Sequence, residues 1–514
     1  MSATVVGNSN VLNPKSFVVN APSGRSAVLM IAGREVTEQL ASFRFLIITF
    51  LVIGLTPLAV YVGARDYFSR LGDYNRLETQ KQKIASGDAG KAVTGVDDPF
   101  ADESDNIVLR AIRPPEPLSV LVHGLDGALP EYWDFSATGI ISGTSATRPQ
   151  RLADVLGTLD LEFLVRVALG LLAILLAFDA VAGEKELGTL RAVLSQPISR
   201  AALLTGKLLG GMITLILPLA GAFLIALITA QVLHVGLLDS ANLARVGLLA
   251  VTSALYLVCF YALGLFVSSL VRSQKTSLVF LLVIWVVSVL AVPPLATLIA
   301  QAVAPTDPAH VIEARKRQAD DDIRKQSERS YGEVYRAATG LPVGWMDTSK
   351  YIDHKQEIDS KLAPMIVSYI SKRRQLINDI DRDAELRLSR QNRLARTIMA
   401  ISPAASFATA AADLAGTGDS HYQAWLGAAQ RRQSDLSAVL FENPPYVLIR
   451  NGGSSGYMPI RKAPALSDLP TFAPPRKDAA AAFNRALPSM GLLALFTGIF
   501  IAGGFMAFAR YDVR

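Results

Sequence analysis

The chain has one cysteine, Cys259, in 514 residues. No disulfide can form within it, so any segment in an oxidising compartment must fold without one. The histidines His123, His234, His310, His354 and His421 are scattered. None makes an HExxH or other close ligand spacing, which leaves a metal site without support. His354, beside Asp353, Glu357 and Asp359, is the best candidate and reads as a solvated helix face. No Ser/His/Asp or Cys/His arrangement has convincing spacing, so the chain is expected to be non-catalytic. Charge is also thin: 18% of residues, against 51% hydrophobic, with a mean hydropathy of +0.33. That balance points to a membrane protein with soluble parts. The net charge of +6 comes from Lys and Arg interleaved with acids. No basic stripe exists, and nucleic acid is not an expected partner.

Long apolar runs are what the chain has in plenty. Crossing a ~30 Å hydrocarbon core takes about 20 helical residues. Six runs qualify: 45–64, about 161–182, 208–232, 246–271, 277–300 and 487–509. The first reads as a span rather than a cleaved leader because it is long and far from the start. Residues 1–30 are polar and read as loosely attached. In "IAGREVTEQLASFR" (31–44), Ile31, Val36, Leu40 and Phe43 have helical spacing, which predicts an interfacial helix feeding the first span. The predicted class is an all-α polytopic membrane protein with six transmembrane helices and a largely helical extracytoplasmic domain.

Basic residues orient the spans. Lys185, Arg191, Arg200 and Lys207 follow the second span, Arg272 and Lys275 the fourth. Arg34 and Arg44 precede the first span, and Arg510 and Arg514 follow the sixth. Residues 233–244 carry no Lys or Arg before Arg245. The basic segments are therefore expected in the cytoplasm. The layout becomes 1–44 cytoplasmic with an elbow helix, 45–64 the first span, 65–160 extracytoplasmic and 161–300 spans two to five. Residues 301–486 form a large helical extracytoplasmic domain, and 487–514 the sixth span with a short cytoplasmic tail. Within 301–486, Ile366, Ile370, Ile377, Ile380, Ala384, Leu394 and Ile398 recur near helical spacing, and 308–338 has similar composition. "SPAASF" from Ser402 and "ENPPYV" from Glu442 break that pattern, and "RNGGSSGYMP" from Arg450 reads as a flexible loop.

Between spans two and three the chain surfaces as "GEKELGTLRAVLSQPISR". This stretch is too polar to span. Leu187, Leu190, Val193 and Leu194 give one apolar stripe, and Glu184, Lys185, Glu186 and Arg191 the opposite face. The pattern predicts a short amphipathic helix suited to receive force from a cytoplasmic partner. Pro197 stops it, since proline has no backbone N–H to donate, and Ser199 is placed to cap the third span.

"FDAVAGEKELGTLRAVLSQPISRAALLTGKLLG" closely resembles the signature of the ABC-2 type permeases, the membrane subunits of many bacterial ABC exporters. The matching positions are Gly183, Glu184, Lys185, Glu186, Gly188, Thr189, Leu190, Leu194, Pro197, Arg200, Gly206 and Lys207. "IAGREVTEQL" resembles the family's elbow helix. The resemblance implies that 184–200 is a coupling helix for a separate cytoplasmic ABC ATPase, which would hold the ATP and magnesium. It further implies a bacterial inner membrane, both termini in the cytoplasm, and pairing with a second copy or a paralogue. The large outer segment, with "SPAASF", resembles permeases of copper-enzyme maturation and gliding systems. A periplasmic partner worked by 301–486 is the alternative to export.

Other features carry two readings. Arg166 and Asp179 read as boundary charges of the second span. The pairs Gly206/Gly210, Gly264/Ser268 and Gly498/Ala502 permit close helix contact, within the chain or across a dimer. Pro57, Pro218, Pro293 and Pro294 are expected to kink or end their spans. Ala201 stands where a Walker motif needs its first glycine, so the chain itself is not expected to hydrolyse ATP.

Overall fold

Six helices long and apolar enough to cross a membrane run through the computed structural model of the chain: Phe43–Thr79, Leu161–Glu186, Arg200–Val232, Ser240–Leu270, Gln274–Val303 and Ala479–Ala509. The structure describes residues 24–87, 109–127, 129–136, 139–144, 159–196, 198–342, 347–441, 446–451, 454–459 and 478–510. Most of the helices overshoot the oily runs that mark them. The third span begins at Arg200 and the sixth at Ala479, several residues before their apolar stretches. A helix of 31 residues is about 46 Å long, against ~30 Å of hydrocarbon, so its ends stand beyond the oily layer. The chain is an all-α, multi-pass membrane protein.

Spans two and four form the centre. Leu169, Leu172, Ala173 and Ile174 of the one and Tyr256 and Phe260 of the other are buried in a common core. Lipid is as apolar as leucine, so close packing rather than escape from water holds this core together. The first and fifth spans turn Phe50, Leu58, Phe280 and Leu290 outward, the apolar belt a bilayer requires. Pro57 and Pro218 sit inside continuous helices. Pro293 and Pro294 follow a π-helical turn, Val287–Ala291, and the helix goes on to Val303. None of the four ends its span. A second π turn, Leu164–Leu169, lies in the second span.

The elbow helix runs Gly24–Leu40, starting earlier than the sequence pattern implies. It lies against the third span. A Cβ on Gly206 would come 2.7 Å from Ile31, and one on Gly210 2.6 Å from Glu35. Glycine at these two positions therefore permits packing within the chain. Gly264 faces Ala177 in the same way, whereas Gly498 has nothing within 4 Å.

At the opposite end, strands β1 (Leu109–Ile112), β2 (Tyr132–Ser136) and β3 (Gly139–Thr144) form a small antiparallel sheet. Helices Ala309–Thr339 and Lys355–Met399 make an antiparallel pair. Tyr331, Tyr335, Ile358, Leu362 and Tyr369 join it near its tip, and Lys316 pairs with Asp381 at 2.6 Å nearer the base. The segment predicted as a flexible loop is instead a hairpin of β4 (Tyr446–Asn451) and β5 (Ser454–Pro459). Gly452 and Gly453 lie outside the described residues.

The distal pair does not stand clear of the spans. Helix Lys355–Met399 has 45 residues, about 67 Å at 1.5 Å each, and its last turns descend beside the fifth span. Gln391 donates to the Ala304 carbonyl at 2.9 Å. Ser402 then donates to the carbonyl of Ser288 at 2.7 Å, halfway along the span Gln274–Val303. From there helix Pro403–Ala415 climbs back, capped by Ser402. Phe407 stacks on Tyr256 with ring centroids 4.5 Å apart, at the midpoint of the fourth span. This is a re-entrant turn at the "SPAASF" break. Both π turns face it: Ser288 belongs to one, and Tyr256 donates to the Arg166 carbonyl in the other at 2.8 Å.

Candidate functional site

The polar elbow between spans two and three sits at the basic end of the bundle. It is two short helices, Ala182–Glu186 and Thr189–Leu194, rather than the one continuous helix predicted. Gly188 separates them at φ +73°, a left-handed conformation that costs a residue with a side chain roughly 1 kcal/mol or more. The break changes which side chains face inward.

Glu184, Lys185 and Glu186, predicted to face a partner, are bound to the bundle. Glu184 pairs with Lys207 of the third span at 2.8 Å, and Lys207 with Glu35 of the elbow helix at 3.2 Å. Gln39 donates to Glu35 at 2.8 Å and to the Tyr261 hydroxyl at 3.0 Å, which brings in the fourth span. Lys185 donates to the carbonyls of Ser269 and Val271 at the end of the fourth span. Glu186 accepts from the Gln274 N–H at 2.8 Å, at the start of the fifth. A cation thus meets a helix C-terminus and an anion the next helix N-terminus, the arrangement helix dipoles favour.

The rest of the elbow is equally tied. Leu190 is buried with Val181, Leu203, Leu204 and Phe508. Arg200 donates to the Ala509 carbonyl at 2.7 Å, in the last turn of the sixth span. Ser199 caps the third span through the Ala202 N–H at 3.1 Å, as its position in the sequence predicts. Gly183 is buried, and a Cβ there would lie 2.9 Å from Gln274. Leu194 ends the second short helix, and Pro197 lies outside the described residues. What the elbow turns outward is Gly188 and Thr189, with Glu186, Arg191, Ser195 and above all Leu187, whose exposure is 74%. Helical spacing places Leu187 on the apolar stripe with Leu190; the break at Gly188 rotates it out.

Two residues that sequence reasoning undervalued hold the elbow's root. Ser268 accepts the N–H groups of Val181 and Ala182 at 3.1 and 2.8 Å and donates to the Phe178 carbonyl at 2.9 Å. Its only sequence signal was membership of a small-residue pair. Arg44 pairs with Asp179 at 3.1 Å and lies 4.7 Å over the Phe178 ring, so Asp179 is a paired boundary charge.

The far end of the bundle holds buried charges that the sequence did not single out. Asp126 is gripped by Arg70 and Arg113. Burial pushes its carboxyl up, but the two guanidiniums outweigh that and hold it below the usual carboxylate range. Glu116 pairs with Arg245 at 3.1 Å. Around His354, among the described residues, no group of three or more His, Cys, Asp or Glu side chains could hold a metal.

Comparison with known proteins places this architecture. A family model described as ABC-2 family transporter protein matches residues 29–513, which takes in most of the elbow helix, all six spans and both distal segments. Over 63 residues the chain is 44% identical to the probable ABC transporter permease protein NosY of Pseudomonas aeruginosa. That stretch is 12% of this chain and 23% of the relative, so the chain spans less than a quarter of that protein's length. With a model matched from the elbow helix to the end of the sixth span, the chain belongs to the ABC-2 family of transporter proteins.

Proposed function

We propose that this chain is the permease subunit of an ATP-driven transporter, exporting a substrate across the inner membrane on energy from a separate cytoplasmic ATPase. The observation that carries this reading is the elbow: bound to the elbow helix and to spans three, four, five and six, yet offering Leu187 and the Gly188 hinge to the outside. A push there reaches five helices at once. ATP and magnesium belong to the partner, whose closure favours one arrangement of the spans over another. A second copy or a paralogue completes the membrane unit, and the basic end, with both termini, faces the cytoplasm.

The test is ATP hydrolysis by the purified complex with its ATPase. Gly188→Trp blocks the outward face and is expected to uncouple hydrolysis from the permease. Unchanged coupling overturns the reading. So does labelling of Ser195→Cys, in a Cys259→Ser background, by an impermeant thiol reagent applied to the periplasmic face.

A second reading has an observation of its own. Helix Lys355–Met399 runs unbroken from the tip of the outer pair to the middle of the bundle, so tilting of the spans would swing the tip. The chain would then work a periplasmic partner mechanically, with no substrate passing between the spans. Replacing 321–372 with a short Gly-Ser turn spares the re-entrant segment. Full transport by that variant disposes of the mechanical reading, and ATP hydrolysis that continues without moving the periplasmic partner supports it.

A further inference from the structure

The re-entrant helix leaves the bundle through a knot of buried charge. Arg245 of the fourth span donates through Nε to the Leu414 carbonyl at 2.9 Å and through Nη1 to Glu116 at 3.1 Å. Gly416 ends the helix at φ +75°, and a Cβ there would sit 2.6 Å from Arg245 Nη2. The following helix, Asp419–Phe441, brings in His421, with Nε2 3.7 Å from the second oxygen of Glu116. His421 is buried, and its Nδ1 has no hydrogen-bond partner among the described residues.

Among the described residues, charged groups act on this imidazole from several elements. Glu116 and Arg113 belong to the segment after β1, and Arg113 is itself paired with Asp126. Arg245 comes from the fourth span and Arg485 from the sixth; Asp413, on the re-entrant helix, accepts from the Ser420 hydroxyl. With His421 neutral, Glu116 answers Arg245, and Asp413 lies beside Arg485. A proton on His421 would add a third cation, and the nearest carboxylate is already engaged by Arg245. An excess buried charge of this kind is costly.

We propose that His421 is the trigger of a proton-sensitive latch: protonated from the distal side, it loosens the Glu116–Arg245 hold on the last turn of the re-entrant helix and lets that helix leave its seat. Burial pushes the imidazole below the ordinary histidine value, Glu116 pulls it back, and Arg485, Arg245 and Arg113 push it down again. A base that binds its proton more weakly in the closed form stabilises that form above its ordinary value, about 6.5 for histidine, and that stabilisation is lost as pH falls. The latch therefore holds at neutral pH and slackens in acid. This holds whether the chain exports a substrate or works a partner.

The test is hydrogen exchange of the full chain in lipid nanodiscs, at about pH 7.5 and about pH 5.5, either side of the ordinary histidine value. Rates are corrected for the intrinsic pH dependence of amide exchange. In the native chain, protection of amides 404–418 is expected to fall several-fold on acidification, while the third span keeps its protection. In His421→Gln the fall should vanish. Asp160, pushed up to about 7 by burial and by Glu162, and Asp413 on the re-entrant helix itself are present in both proteins. An equal fall in both would assign the effect elsewhere and overturn the latch. Should His421→Gln fail to fold, ring-carbon NMR of the histidine-labelled native chain decides. The His421 resonance must titrate with the same midpoint as the loss of protection, and a ring that stays neutral through the window ends the proposal.

Discussion

Two ion pairs, one at each end of the bundle, have the same length. Arg44–Asp179 at the basic end and Arg245–Glu116 at the distal end both measure 3.1 Å. Their surroundings differ: the first pair's side chains are 47% and 34% exposed, the second's 3% and 2%. The first can exchange each contact for water at little cost. The second cannot, since either charge left alone in a dry site costs several kcal/mol. The Arg44–Asp179 contact is thus a joint that can shift beside the buried Lys207–Glu35 pair, and the distal pair is a lock that holds or releases as a unit.

The most severe break in that contrast is Arg245→Leu. It leaves Glu116 buried without its main partner and frees the Leu414 carbonyl. Removing one member of a buried pair costs about 3–5 kcal/mol, so the thermal midpoint in detergent should drop sharply. A drop no larger than that of a surface variant would mean that water reaches the distal cluster. At the basic end, Asp179→Asn should cost about 0–1 kcal/mol, the range of exposed pairs. That small loss should shrink further in salt, because exposed charges are screened over about 8 Å at physiological ionic strength. Salt should leave the Arg245→Leu loss unchanged. Equal salt sensitivity at the two ends would erase the distinction.

The same contrast governs what could be read from the sequence. Spans were legible because about 20 apolar residues in a row need no partner to be recognised. The elbow was legible as a polar interruption, but its faces were not. Counting by helical period assumed an unbroken helix, and Gly188 breaks it, so Leu187 and Glu184 exchange places. Glycine there was the available signal for the break. The distal cluster left no local trace: Arg245 and Glu116 are 129 residues apart, the first like an ordinary boundary charge and the second like any acid in a connecting segment. Helix Pro403–Ala415, of 13 residues, is too short to register as a membrane segment. Its depth follows from where Ser402 and Phe407 land, which only the fold determines.

The smallest expected effect on stability belongs to Leu187→Glu, and that smallness is its use. Leu187 touches little of its own chain, so the substitution should fall within about 0.5 kcal/mol of the native protein. Glu184→Gln differs, because it weakens the tie to Lys207 and should lower the melting temperature measurably. If the elbow's exposed tip is the partner's contact, Leu187→Glu should release the ATPase on co-purification while its melting curve overlays that of the native chain. Glu184→Gln should do the reverse, keeping the ATPase bound while softening the joint. A Leu187→Glu protein that keeps its ATPase would move the contact off the tip. The inward-facing charges would then have to be reconsidered as the handle, and the basic end would be a lock like the other.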